Sequence, residues 1–193
     1  MSALAIQDVT NAIAARLQAA VTQATPAAAP GSARVFVGTL DDAQALNSSL
    51  VLFLHRTNPC QALRNSPHIV PPAIPGDKEQ VYTAALPLDL HYLVTVGRQQ
   101  ASEPEELRLL GFAMQALNDD PVFVGAAVGG QVARLTLDVA TSDELSRIWA
   151  LFPTVNYRTS VLYLASPVWI DPRLPETPAA PVILQRSATG VLA

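Results

Sequence analysis

Leu88-Asp89-Leu90-His91-Tyr92-Leu93-Val94-Thr95-Val96 sets Leu88, Leu90, Tyr92, Val94 and Val96 against Asp89, His91, Leu93 and Thr95. That is the two-residue period of a half-buried strand. Upstream, Leu50-Val51-Leu52-Phe53-Leu54-His55-Arg56 is an apolar run of the kind buried on both faces, and it predicts a strand from Leu50 to Thr57. A shorter strand is expected near Arg34 to Gly38. Before these, Ile6, Val9, Ile13, Leu17 and Val21 recur at steps of three and four, the stripe of one amphipathic helix. It ends at Thr25-Pro26-Ala27-Ala28-Ala29-Pro30-Gly31, whose prolines cannot continue it.

Downstream, Ser102-Glu103-Pro104-Glu105 is a Ser-x-x-Glu capping box with proline in the first turn. It opens a helix whose stripe reads Leu107, Leu110, Met114 and Leu117. After a turn at Gly129-Gly130, Ala133, Leu135, Leu137 and Val139 alternate as a strand. Thr141-Ser142-Asp143-Glu144 is a second capping box, opening a short helix with Leu145, Ile148, Trp149 and Phe152. A final strand is expected over Tyr157 to Pro167. Asn58 to Ala85, with Pro59, Pro67, Pro71, Pro72 and Pro75, reads as a long irregular loop of the sort that is functional or disordered. The interleaving of strands and helices, without regular βαβ spacing, predicts an α+β single domain. Its sheet is mixed or antiparallel, with about three helices packed on it.

The chain has 193 residues, half of them apolar and 15% charged. Soluble domains usually carry about 25% charge, so part of the apolar surface is expected to face a partner. Abundant Ala, a weak hydrophobe, inflates the apolar count. A formal net charge of −4 argues against nucleic-acid binding, which leaves a basic footprint. Lys78 is the only lysine among twelve Lys and Arg residues. Arg suits protein interfaces, although high-GC coding bias produces the same excess. The single cysteine, Cys60, excludes an internal disulfide and a cysteine-based metal cluster. No secretory leader and no membrane-length apolar run is visible, so synthesis and folding in the cytoplasm are expected, without membrane insertion.

Chemical motifs are scarce. His55, His68 and His91 stand at no metal-ligand spacing and read as structural histidines. There is no Gly-x-Ser-x-Gly elbow, Walker loop or Gly-x-Gly-x-x-Gly turn. Adjacent carboxylates such as Asp41-Asp42, Glu105-Glu106 and Asp119-Asp120 point in different directions on a helix or strand. A pair assembled from distant carboxylates stays open, as does Cys60 acting with His68 or His91. No catalytic residue, cofactor or metal is expected, and the chain reads as a non-enzyme.

Leu52-Phe53-Leu54-His55-Arg56-Thr57-Asn58-Pro59-Cys60-Gln61-Ala62-Leu63-Arg64-Asn65, followed by Leu86-Pro87-Leu88-Asp89-Leu90-His91-Tyr92-Leu93-Val94-Thr95, resembles the cap proteins of phage-tail-like contractile injection systems. Leu109 to Gln115, Asp143 to Trp149 with Leu151-Phe152-Pro153, and Tyr157-Arg158 through Val168 resemble them too. The resemblance spans roughly residues 4 to 170. Segment 25–33 and the tail after Asp171 are uninformative, and Cys60 departs from the family's turn. It implies a tail-terminator-like fold and a hexameric ring on the last layer of an inner tube and contractile sheath. Such a ring ends polymerisation and anchors sheath to tube; release of the particle, its staying in the cytoplasm and its sitting at a membrane all stay open.

On this reading residues 1–170 form the cap domain and 171–193 an extended Pro-rich tail, a candidate contact arm. Arg56, Arg64, Asn65 and Arg158 are candidate interface anchors, since Arg is enriched at interfaces; Asn65 also suits a turn. Val182-Ile183-Leu184 could add to a neighbouring sheet edge by β-augmentation, or belong to a disordered terminus. The alternatives are another ring component of the same particle, such as a tube-end adaptor or baseplate subunit, or a soluble peptide-binding module.

Overall fold

A computed structural model describes residues 2–26, 33–71, 79–97 and 102–174 of the chain. Helix α1 (Ala5–Ala24) leads into strand β1 (Val35–Val37), a short helix α2 (Ala43–Leu46) and strand β2 (Leu50–Pro59). Strands β3 (His68–Val70), β4 (Gln80–Tyr82) and β5 (Leu86–Val96) follow, then helix α3 (Glu103–Asp119). The chain continues through β6 (Val122–Val124), β7 (Val132–Leu137), helix α4 (Ser142–Ala150) and β8 (Ser160–Ile170).

One six-stranded sheet has the order β1-β2-β5-β8-β7-β6, and β3 and β4 form a separate ribbon. Only β1–β2 is parallel, and the other pairings are antiparallel. The sheet is therefore mixed, and the fold is α+β, as expected.

Registration explains the two cores. Leu52 opposes Val94, and Tyr92 opposes Tyr163. All four turn to the side where Val9, Ile13 and Leu17 of α1 and Leu110, Ala113 and Leu117 of α3 close the main core. One step along, Phe53 opposes Leu93, which opposes Leu162. These turn to the other side, against Trp149 and Phe152 from α4 and the turn after it. Strand β5 is thus covered on both faces, where alternation alone indicates half burial; Leu93 is fully buried. At its centre the Tyr92 hydroxyl lies 2.8 Å from Thr10 Oγ1, which in turn donates to the Ile6 carbonyl at 2.6 Å. Burial pushes the Tyr92 phenol up to about 12 against the opposing pull of the Thr10 bond. A buried phenol needs such a partner.

Both capping boxes form. Ser102 with Glu105 opens α3, and Thr141 with Glu144 opens α4. The α3 stripe is rotated from expectation. Leu109, Leu110, Ala113 and Leu117 are buried, while Leu107 is half exposed, because the face meeting α1 is set by packing rather than by the largest residues. Leu137 and Val139 are exposed although they continue the alternation of β7, since no helix covers that end of the sheet. The stretch 58–85 is not irregular throughout: it carries a 3-10 turn at Gln61–Leu63 and the β3–β4 ribbon. The last strand begins and ends three residues later than expected. Gly129 (φ 71°) ends the 3-10 turn Gly125–Val128 in the left-handed conformation that glycine favours.

The start of the β1 edge of the sheet is capped by one side chain. Gln18 of α1 donates from Nε2 to the Ala33 carbonyl at 2.8 Å and accepts from the Val35 N–H at 2.9 Å. Its amide takes the carbonyl and N–H two residues apart that another strand would use, so it stands in for a neighbouring peptide group. Replacing Gln18 by Ala strands both groups in a part-buried place and is expected to cost about 1–2 kcal/mol. Urea unfolding of Gln18→Ala measures this, with Gln18→Leu separating lost bonds from lost stem packing.

Candidate functional site

Helix α4 covers only part of its side of the sheet. Beyond it, a groove of about 510 Å³ opens between α4 and the strands, lined by His55, Arg56, Asp138, Glu144, Arg147 and Leu162 with an apolar rim. Val139 is 94% exposed and Leu151 66% exposed on that rim. These two exposed aliphatics flank the charged groove.

A β-bulge builds the groove floor. In β2 the pairing steps from Leu54 opposite Tyr92 to Arg56 opposite His91, leaving His55 unpaired. A bulge re-aims side chains, and here His55 and Arg56, neighbours in sequence, line the same groove. His91 Nδ1 lies 2.6 Å from Asp138 Oδ2, and Arg56 Nη2 lies 3.2 and 3.4 Å from the two nitrogens of that ring. A proton on His91 Nδ1 is donated to Asp138. The His55 ring centroid is 6.0 Å from that of His91. His55 Nε2 is buried with no hydrogen-bond partner among the described residues. Burial first, then His91 and Arg56, lower the His55 pKa to about 4, with Asp138 opposing. Glu144 is held below the usual carboxylate range, first by the Thr141 N–H and then by its hydroxyl. Arg147 pairs with Asp143 at 2.8 Å on the exposed face of α4, a geometry worth little.

Asp138 in the groove is paired with His91, which is buried beneath it. None of the groove's lining residues is Ser, Thr or Cys. Cys60 sits at the end of β2, 3.9 Å from Ser166 Oγ, and has no hydrogen bond to either His68 or His91 among the described residues. Ser166 donates instead to Asp89 at 2.6 Å. His68 is held elsewhere, 2.6 Å from Asp171 and stacked on Trp169 with ring centroids 4.7 Å apart. No group of three or more His, Cys, Asp or Glu is placed to hold a metal among the described residues.

The candidate interface residues are spread over the molecule. Arg56 lies in the groove. Arg64 and Asn65 are exposed in the turn after Gln61–Leu63. Arg158 is partly buried at the opposite end of the sheet, donating to the carbonyls of Val96 and Gly97. There it holds the chain as it leaves β5, where a Cβ on Gly97 would collide with Ala45 and Ser48. Val182, Ile183 and Leu184 lie outside the described residues. Sequence reasoning passed over Asp138, which follows β7 at the margin of its alternation. It is 47 positions from His91, and only the β5-β8-β7 order brings the two together.

A profile of the Pvc16 N-terminal domain matches residues 8–183 of the chain. Two solved structures share the fold. One is the sheath/tube terminator of an extracellular contractile injection system, PVC, in its extended state, with TM-score 0.55 and 16% identity over 93% of this chain. The other is the anti-feeding prophage cap, a tube-terminating cap, with TM-score 0.60 and 19% identity over 94% of this chain. This chain spans 64% and 60% of the lengths of those two proteins. No curated protein matches the sequence.

His55 makes stability depend on pH. Its folded pKa of about 4 lies below its ordinary value, so the unfolded chain takes up the proton first as pH falls. The stability it contributes is complete above about pH 6.5 and declines as pH drops toward 4. Thermal denaturation at pH ~7 and pH ~4.5 tests this. His55→Gln is expected to shrink the acid-side fall in Tm by a few degrees, reduced by the partial exposure of the ring.

Proposed function

We propose that this chain, which belongs to the Pvc16 N-terminal domain family, is a structural cap that closes the distal end of the tube and sheath of a contractile injection system. The observation that carries the reading is a fold shared over more than nine-tenths of the chain with two terminators of such particles. In that role six copies form a ring on the last layer of inner tube and sheath. The ring stops further polymerisation and holds the outermost sheath layer to the tube. A cyclic ring uses head-to-tail interfaces, in which one patch meets a different patch on the next copy. The molecule offers unlike surfaces for that: the groove with Arg56, Val139 and Leu151 on one side, and the exposed turn with Arg64 and Asn65 elsewhere.

Several properties support a structural part rather than an enzyme. No Ser, Thr or Cys lines the groove above the His91–Asp138 pair, and the charge fraction of 15% leaves apolar surface for neighbours. The net charge of −4 does not suit a nucleic-acid partner. No helix among the described residues is long and apolar enough to cross a membrane. The protein is assembled into its particle in the cytoplasm and leaves with it when the particle is released. Residues 1–170 serve as the cap domain and 171–193 as its tail.

Electron microscopy of particles from cells lacking the protein tests the role. Tubes and sheaths of uncontrolled length, or particles that contract spontaneously, are expected, and a gold-labelled copy is expected at one tip. Particles of unchanged length and stability, with purified protein remaining monomeric when tube is added, would overturn the cap reading in favour of a peptide-binding module. Label at the baseplate tip would make it another ring component. Arg56→Glu combined with Leu151→Asp is expected to leave the circular dichroism spectrum unchanged while lowering tip occupancy at least about tenfold, a loss of the size that interface hot spots produce.

A further inference from the structure

Helix α3 keeps one large apolar side chain out of the core. Leu107 belongs to the apolar stripe of the helix by sequence, yet it is 50% exposed. Glu103, Glu106 and Leu107 stand at positions i, i+3 and i+4, which share one face of a helix. They also share a surface with Tyr157, which is 63% exposed just before β8. Neither carboxylate makes a salt bridge among the described residues. Neither closes the capping box, which uses Glu105. The helix dipole favours acids in a first turn, but it gives no reason for Leu107 and Tyr157 to be exposed beside them.

The groove beside α4 has the complementary character. Among its charged residues, Asp138 is held by His91, Glu144 by Thr141 and Arg147 by Asp143. Arg56 is exposed, touches only the ring nitrogens of His91 and makes no salt bridge among the described residues. Its guanidinium fork is shaped to take a carboxylate through two parallel hydrogen bonds. The exposed Val139 and Leu151 stand beside it on the groove rim. One surface thus offers free carboxylates with two exposed apolar side chains, and the other a free guanidinium with two more. The surfaces also lie on opposite sides of the sheet, because α3 packs in the core with α1 and α4 packs in the other core. They cannot meet within one molecule. Between copies they make a head-to-tail contact, the kind that closes into a ring when the rotation between copies allows it.

We propose that the first turn of α3 in one copy of this chain docks in the α4 groove of the next, with Glu103 and Glu106 facing Arg56 and Leu107 packed against Leu151. This is the helix-in-groove mode of recognition, in which residues three and four apart serve as anchors. The occupant is a second copy because this same chain carries both the opposite charge and the apolar residues that the groove needs. The pairing rests on the ring in the proposed function and names the contact that would build it.

Disulfide trapping of the full chain, oxidised in cells that make the whole particle, tests it. In a Cys60→Ser background, Leu107→Cys with Leu151→Cys is expected to give a ladder of covalently joined copies on a non-reducing gel. Ile69→Cys in place of Leu151→Cys, at a site 51% exposed on the β3–β4 ribbon, is expected to give none. Arg56→Glu alone, and Glu103→Arg with Glu106→Arg, are each expected to cut the ladder at least about tenfold. All three charge reversals together are expected to restore it, which a merely misfolded variant would not do. No ladder, or one equally strong from the Ile69 control, would overturn the proposal. Failure of the combined reversals to recover would also overturn it and give the groove to a tube or sheath subunit. A ladder without label at the particle tip would leave this contact standing and sink the cap reading; label at the tip without a ladder would do the reverse.

Discussion

Strand β5 must satisfy two cores at once, and much of the molecule follows from that. Its even-numbered residues Leu90, Tyr92 and Val94 face the helices α1 and α3, and Leu93 faces α4. Antiparallel neighbours on both sides, β2 and β8, must then present matching residues at each register position. A one-residue slip would exchange the two sets of side chains between cores of different depth and composition. Tyr92 makes the constraint stricter, because its buried hydroxyl needs Thr10 on α1 and so fixes the helix along the strand as well as against it.

The same strand shows where the constraint is released. Toward its N-terminal half α4 no longer covers the sheet, and the side chain that would face a core is His91, paired with Asp138 and approached by Arg56. A buried imidazole is tolerable there because its polar atoms are satisfied. His55, set beside it by the bulge, has no such partner at Nε2 and is kept neutral. The groove is thus the boundary between a dry core and an open sheet face. Its mix of apolar rim and paired charges resembles the margin of a protein interface more than an active site.

Low identity to the two terminators fits this division of labour. A fold held by two cores tolerates replacement of one hydrophobic residue by another of similar size. The loops, the groove and the two sheet edges lie outside both cores and are freer to vary. In the proposed cap role, stopping a polymer is a demand on surfaces: growth would be permitted on one side and refused on the other. Capping the start of a sheet edge with a glutamine amide is a small instance of the same physics, since it withdraws two of the backbone groups on which another strand would build.

Local chemistry in the sequence determined the two capping boxes, the stripe of α1, the Gly129 turn and the positions of the long strands. Each depends on residues within a few places of one another. The α+β class followed from their order, and the family from several ordered segments taken together. Tertiary structure decided what depends on distant pairs. It covered both faces of β5, rotated α3 to bury Leu109 and Ala113 instead of Leu107, and folded the 58–85 stretch into a ribbon. It brought Asp138 to His91, gave Arg158 the carbonyls at the end of β5 rather than a place beside Arg56, and gave Gln18 the edge of β1. Periodicity records which residues of one element share a face, whereas these contacts depend on which other element that face meets.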